Sequence, residues 1–280
     1  MVKIKHERLA QFVGEHVAAL RGKLEDFPSD CPYLLDEVLS APPEKLAEIA
    51  EWFGELSESE KNRYSFMVKK YENFATKKQE CDAYDLAEKL DVNVCPYCNI
   101  NPTYTIRKNH TLRPEFDHFY NKATYPILAL SFFNLIPSCH VCNSTLKGSK
   151  SIQINPYQES LDRLATFELS IKDSSFYYDA KGFEIELTAE DERAEDSIET
   201  FKLNDRYEKH KDIILELIQK NAIYNESYLD ELFSQYEGTI FRNREDLLRM
   251  ISGGYMDEEE INKRPLSKLI KDISAELGLT

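Results

Sequence analysis

Two Cys-x-x-Cys turns frame an Asp-His dipeptide in this chain: Cys95-Pro96-Tyr97-Cys98, then Asp117-His118, then Cys139-His140-Val141-Cys142 followed directly by Asn143. Each turn presents two sulfurs to one ion, and four thiolates suit a tetrahedral zinc. Forty residues separate Cys98 from Cys139, so closing a four-sulfur site pins together the ends of a long insert. A zinc with all four positions filled by sulfur keeps no open site and is structural. An iron–sulfur cluster or a pair of redox dithiols are the other uses of such pairs, and His140, inside the second turn, is a competing zinc ligand. Chemistry then falls to what the sulfurs frame, and a carboxylate beside an imidazole suits a metal-assisted hydrolase.

The elements that must hold these residues follow from periodicity. Residues 1–91 read as a helical N-terminal arm. Leu9, Phe12, Val13, Val17 and Leu20 repeat at three and four, and Pro43 opens a helix in its first turn. Ser57-Glu58-Ser59-Glu60 has the spacing of a capping box before a run through Tyr64, Met67, Val68 and Tyr71. These stripes read as core and receive no chemistry; Tyr64, Tyr71 and Phe74 near Lys69, Lys70, Lys77 and Lys78 offer the alternative of a nucleic-acid face. Residues 92–156 change character, with glycine and proline punctuation and β-compatible runs such as Tyr104-Thr105-Ile106-Arg107. Lys147 and Lys150 fall in or just past the helix expected around Asn143, where they reach flanking phosphates. In residues 157–280, stretches 166–171 and 183–187 alternate as half-buried strands, and Phe176-Tyr177-Tyr178 starts a hairpin closed by Asp179-Ala180-Lys181-Gly182. Helices return from Asp191, one over 207–224 and another over 265–273. The expected class is α+β.

With 280 residues and 42 % hydrophobic content, the chain can bury a substantial core. It shows no signal-peptide h-region at its start and no run of roughly 18 apolar residues, which points to the cytoplasm and away from membranes. Cysteines there stay reduced, so Cys31 and Cys81 read as small packing residues, and His110 and His210 as structural or exposed. A net charge of -15 excludes a protein that coats nucleic acid with its whole surface. Yet between Cys95 and Pro156 six cations (Arg107, Lys108, Arg113, Lys122, Lys147, Lys150) face two anions (Glu115, Asp117), a local +4 against -19 elsewhere. A basic island on an acidic body suits a restricted nucleic-acid contact, with the acidic remainder suppressing non-specific binding or meeting a basic partner.

The ensemble of Cys95-Pro96-Tyr97-Cys98, Glu115-Phe116-Asp117-His118-Phe119, Asn134-Leu135-Ile136-Pro137-Ser138-Cys139, Cys142-Asn143 and Lys147-Gly148 resembles the HNH endonuclease family over roughly 60 of the 280 residues. The resemblance implies a zinc-stabilised ββα-metal core, a β-hairpin followed by a helix around one divalent ion, Mg2+ or Mn2+. It implies that His118 is the general base, that Asp117 is a ligand of that ion, that Asn134 fixes the loop and orients the base, and that Asn143 is the second ligand through its amide oxygen. Two positions depart: many members carry histidine where Asn143 stands, and many have proline soon after Asp-His-Phe, where this chain has Tyr120-Asn121-Lys122.

A narrower resemblance is to HNH proteins of prokaryotic anti-phage defence, the Septu-type and retron-associated nuclease subunits that act with an ABC-like ATPase. It rests on Asp117-His118-Phe119, Tyr125-Pro126-Ile127-Leu128, the Asn134 to Cys139 run and the helical arms. The implied activity is cleavage of DNA phosphodiesters to a 5′-phosphate and a 3′-hydroxyl. The alternatives are a non-catalytic zinc module that binds nucleic acid or protein, and an HNH nuclease acting on RNA.

Overall fold

The apolar repeats of the first ninety residues become six helices: α1 (Leu9–Arg21), α2 (Leu35–Ser40), α3 (Pro43–Glu55), α4 (Glu58–Asn62), α5 (Phe66–Thr76) and α6 (Ala83–Leu90). The computed structural model describes residues 2–77, 81–257 and 259–279, so Lys78 lies outside it. Pro43 opens α3, and Ser57 with Glu60 caps α4 reciprocally, the Ser57 amide donating to Glu60 Oε2 at 2.8 Å. The run expected from that cap through Tyr71 is interrupted at residues 63–65, and α5 starts afresh.

Residues 3–96 and 103–159 form one compact unit, and residues 97–102 with the chain from 160 onward form another. Residues 3–91 and the 92–156 region apart from 97–102 thus lie in one unit, in which the helices wrap the loop that follows Asp117-His118. Val38, Leu46, Ile49 and Phe53 share a core cluster with Ile127 and Leu128. Ser131 donates to the Val38 carbonyl at 2.6 Å, and the His16 imidazole of α1 donates to the Leu130 carbonyl at 2.8 Å. Burying aliphatic and aromatic side chains of this size contributes about 1.5–3 kcal/mol each.

In this unit β1 (Glu115–His118) pairs antiparallel with β2 (Leu135–Ser138), Glu115 opposite Ser138 and His118 opposite Leu135. A π-helix follows, Val141–Lys147, in which the Gly148 amide donates to the Asn143 carbonyl at 2.8 Å. Gly148 ends it at φ 54°, a left-handed conformation that a side chain would strain. Tyr104 to Arg107 is not a strand; Ile106 makes an isolated bridge to Leu112.

In the other unit β3 (Ala165–Ile171) and β4 (Phe183–Ala189) form a second antiparallel pair, Ala165 opposite Ala189. The aromatic run expected to start a hairpin instead forms a 3₁₀ turn, Ser174–Tyr177, within the loop joining them. That loop folds so tightly that a Cβ on Gly182 would lie 2.4 Å from the Phe176 nitrogen. Helices α7 (Glu192–Thr200), α8 (Leu203–Tyr207), α9 (Lys211–Ile223), α10 (Glu226–Tyr236), α11 (Arg244–Ser252) and α12 (Ser267–Leu277) complete it. The single helix expected over 207–224 is broken by a 3₁₀ turn at Glu208–His210, and α12 begins two residues late because Leu266 is left-handed. On α12, Asp272 accepts from the Phe167 amide at 3.0 Å, covering the outer edge of β3. The fold is α+β as expected, and no helix among the described residues is long and apolar enough to cross a membrane.

Candidate active site

Cys95, Cys98, Cys139 and Cys142 are all buried, with their sulfurs within 4.8 Å of one another. A tetrahedral zinc with Zn–S bonds near 2.3 Å asks for sulfurs about 3.8 Å apart, so the quartet fits one ion. The turns are built for it: Ile100 donates its amide to Cys98 Sγ and Cys142 donates its own to Cys139 Sγ, each at 3.4 Å. Asn99, just after the first pair, takes the left-handed φ of 52° that asparagine tolerates better than most residues. His140 is outside the cluster. Its ring is exposed and donates from Nδ1 to Glu115 Oε1 at 2.7 Å, which raises its pKa above the usual histidine range.

His118 closes β1 with 7 % of its surface exposed. Its Nε2 lies 3.0 Å from the Ala129 carbonyl, which can only accept, so the proton sits on Nε2 and Nδ1 keeps the lone pair. Tyr71 of α5 packs edge-on against the ring at 4.3 Å and donates its hydroxyl to the Phe116 carbonyl at 3.3 Å. Burial, with the nearby charge of Lys122 adding to it, pushes the imidazole down to about 3. His118 is therefore neutral at physiological pH.

Asn134 fastens the loop between the strands. Its Oδ1 accepts from the Tyr120 amide at 2.7 Å, and its Nδ2 donates to the carbonyls of Tyr120 at 3.1 Å and Leu128 at 2.9 Å. All of its bonds go to backbone, so it shapes the segment that runs on from His118.

Asp117 is buried, and Lys147, itself only 2 % exposed, places its ammonium 3.0 Å from Asp117 Oδ1 and 3.0 Å from the His118 carbonyl. Lys147 is thus spent inside the protein, and the flanking-phosphate contact expected of it is not available in this arrangement; Lys150 is exposed, as that role requires. Asn143, in the first turn of the π-helix, donates Nδ2 to Glu115 Oε2 at 2.8 Å, leaving its amide oxygen as the free ligand atom. Glu115 also accepts from Ser144 Oγ at 2.8 Å. Burial would raise its carboxyl, but these hydrogen bonds and that from His140 outweigh it and hold the group below the usual range. Carboxylate and amide oxygens are the donors a hard divalent cation selects.

Two residues of this site carried no role in the sequence reading. Glu115 was legible: two residues before Asp117 on one strand, it must project from the same face. Tyr71 was not, since its place in a helical stripe marks it as core or as part of a nucleic-acid face and not as the support of an imidazole. Beside Glu115 a cavity of about 550 Å3 opens, its lining including Lys77, His110 and Arg113. His110 itself donates to Asp82 Oδ2 at 2.9 Å. No family model, curated protein or solved structure matches this chain.

Proposed function

We propose that the protein is a divalent-metal-dependent HNH endonuclease that hydrolyses DNA phosphodiesters, acting in prokaryotic anti-phage defence with an ATPase partner. The observation that carries this reading is one arrangement within a zinc-compatible frame. Asp117-His118 end β1, Asn134 ties the loop that follows them, and Asn143 leads the helix after the second cysteine pair. Asp117 and the Asn143 amide oxygen would hold Mg2+ or Mn2+, which when bound would supply charge neutralisation at the scissile phosphate and leaving oxygen.

His118 accepts the proton of the attacking water at Nδ1 while the Ala129 carbonyl holds Nε2–H and fixes the tautomer. The water oxygen bonds to phosphorus, the bond from phosphorus to O3′ breaks, and O3′ takes up a proton from solvent water, leaving a 5′-phosphate and a 3′-hydroxyl. Asn134 keeps the loop after His118 in place through this exchange. The non-catalytic zinc module draws on one observation of its own, the Lys147 ammonium held against Asp117.

Plasmid nicking with Mg2+ or Mn2+ separates the two readings. His118→Ala is expected to lower cleavage about 10²- to 10⁴-fold, the usual worth of a positioned base, while keeping one zinc per chain. Equal nicking by both proteins, or none by the wild type with either ion, would falsify the assignment. A parallel single-stranded RNA substrate decides between DNA and RNA.

A further inference from the structure

Among the described residues Lys122 makes no ion pair. It is half-buried beside His118, and among the described residues no carboxylate oxygen lies within ion-pairing distance of it. The two acids whose charges it feels, Glu72 and Asp117, are committed elsewhere, to Lys69 at 2.9 Å and to Lys147 at 3.0 Å. Its Nζ sits 4.7 Å from the centre of the Tyr71 ring, the same ring that packs on His118. An aromatic face offsets only part of the cost of withdrawing an ammonium from water.

The backbone sets this position. Asn121 Oδ1 accepts from the Ala123 amide at 2.8 Å, the Asn121 carbonyl accepts from the Tyr125 amide at 2.8 Å, and Asn134 fastens Tyr120 on the other side. Lys122 is therefore delivered to the Tyr71 face by a fixed turn and not by a counter-ion. Of the other cations of the basic segment, Lys108 and Lys150 are exposed to solvent and the remaining three are occupied. Arg107 pairs with Asp85 and Glu88, Arg113 donates to the carbonyls of Ala75 and Pro114, and Lys147 is buried.

Resting on the nuclease reading, we propose that Lys122 is the phosphate-gripping residue of the site, its ammonium donating to a non-bridging oxygen of the phosphodiester held beside His118. The role expected of Lys147 passes to a lysine 25 positions earlier in the chain. An anion there supplies the counter-charge, and it falls in the neighbourhood of the imidazole, since both side chains contact Tyr71 and the Lys122 charge acts on His118.

The test uses the full chain, a fluorescent 20-base-pair DNA duplex in Ca2+ for binding, and plasmid cleavage in Mg2+ for KM and kcat. Lys122→Met keeps the stem on Tyr71 and removes the charge. It is expected to weaken duplex binding roughly tenfold or more, the worth of a hydrogen bond to a charged group, and to flatten the salt dependence by about one phosphate contact. Lys122→Arg is expected to restore most of both. Lys122→Met that binds and cleaves like wild type, while His118→Ala does not cleave, overturns this role and leaves the nuclease reading standing. A wild type that neither binds nor cleaves the duplex overturns the nuclease reading, and this role with it. Loss of zinc or a lowered melting temperature in both lysine variants assigns Lys122 to packing and also overturns the proposal.

Discussion

A carboxylate that pairs with a buried lysine behaves differently from one at a solvated turn, and Asp117 is of the first kind. Its partner Lys147 is enclosed, with the Asp117 carboxylate and the His118 carbonyl as its acceptors. Asp117→Ala removes the carboxylate paired with that ammonium, and breaking a buried pair from one side costs about 3–5 kcal/mol. We therefore predict that Asp117→Ala loses both cleavage and stability, whereas Asp117→Ala combined with Lys147→Met regains most of the stability and none of the cleavage. Urea unfolding of the wild type, both singles and the double variant measures this. Additive losses in the double variant would show that the pair is not coupled. The same enclosure explains why the sequence misassigned Lys147: a lysine four residues past an asparagine reads as solvated, and only the fold puts its head against β1.

At the scale of elements, the helical arm is the wall of the site. Helix α5 supplies Tyr71 to His118, α1 supplies His16 to the Leu130 carbonyl, and α2 receives Ser131 at the Val38 carbonyl. His16 is enclosed between Phe74 and Phe132, and burial lowers its pKa to about 4. Below an unfolded value near 6.5, the unfolded chain binds a proton that the folded one refuses. Stability from neutral His16 is therefore complete above about pH 6.5 and is lost as pH falls toward 4, by up to about 3 kcal/mol. His16→Gln keeps a donor for Leu130 without the titration. Its unfolding free energy is expected to fall less steeply than that of the wild type across this window. Parallel profiles for the two proteins would mean that the arm does not hold His16 neutral.

For the whole molecule, charge governs association. A net -15 repels DNA, and the cations near the site are few once Arg107, Arg113 and Lys147 are spent internally. Each neutralised phosphate adds a salt-dependent increment of affinity, and a handful of contacts gives weak binding at physiological salt. The isolated protein is therefore expected to nick plasmid slowly and to lose that activity steeply as salt rises. On the defence reading, adding an ABC-like ATPase, if one is encoded beside it, is expected to accelerate the reaction. Rapid partner-independent turnover at low protein concentration and physiological salt would sink this expectation.

What the sequence determined by itself was local. Cys-x-x-Cys spacing announces two sulfur-presenting turns wherever they lie, Pro43 and the Ser57–Glu60 pair mark helix starts, and strict alternation marks β3 and β4, because each of these signals depends on neighbours within a few residues. It could not show that residues 3–96 and 103–159 share one unit, or that the 207–224 periodicity breaks at Glu208–His210. Those outcomes depend on burial between residues distant in sequence, which periodicity does not encode. The division is sharpest for the lysines. Lys122 and Lys147 are both lone lysines of the basic segment, yet tertiary packing buries Lys147 against Asp117 and sets Lys122 on Tyr71, with no ion pair among the described residues. The cost of enclosing an ammonium is decided by what lies opposite it, and that is a property of the folded chain alone.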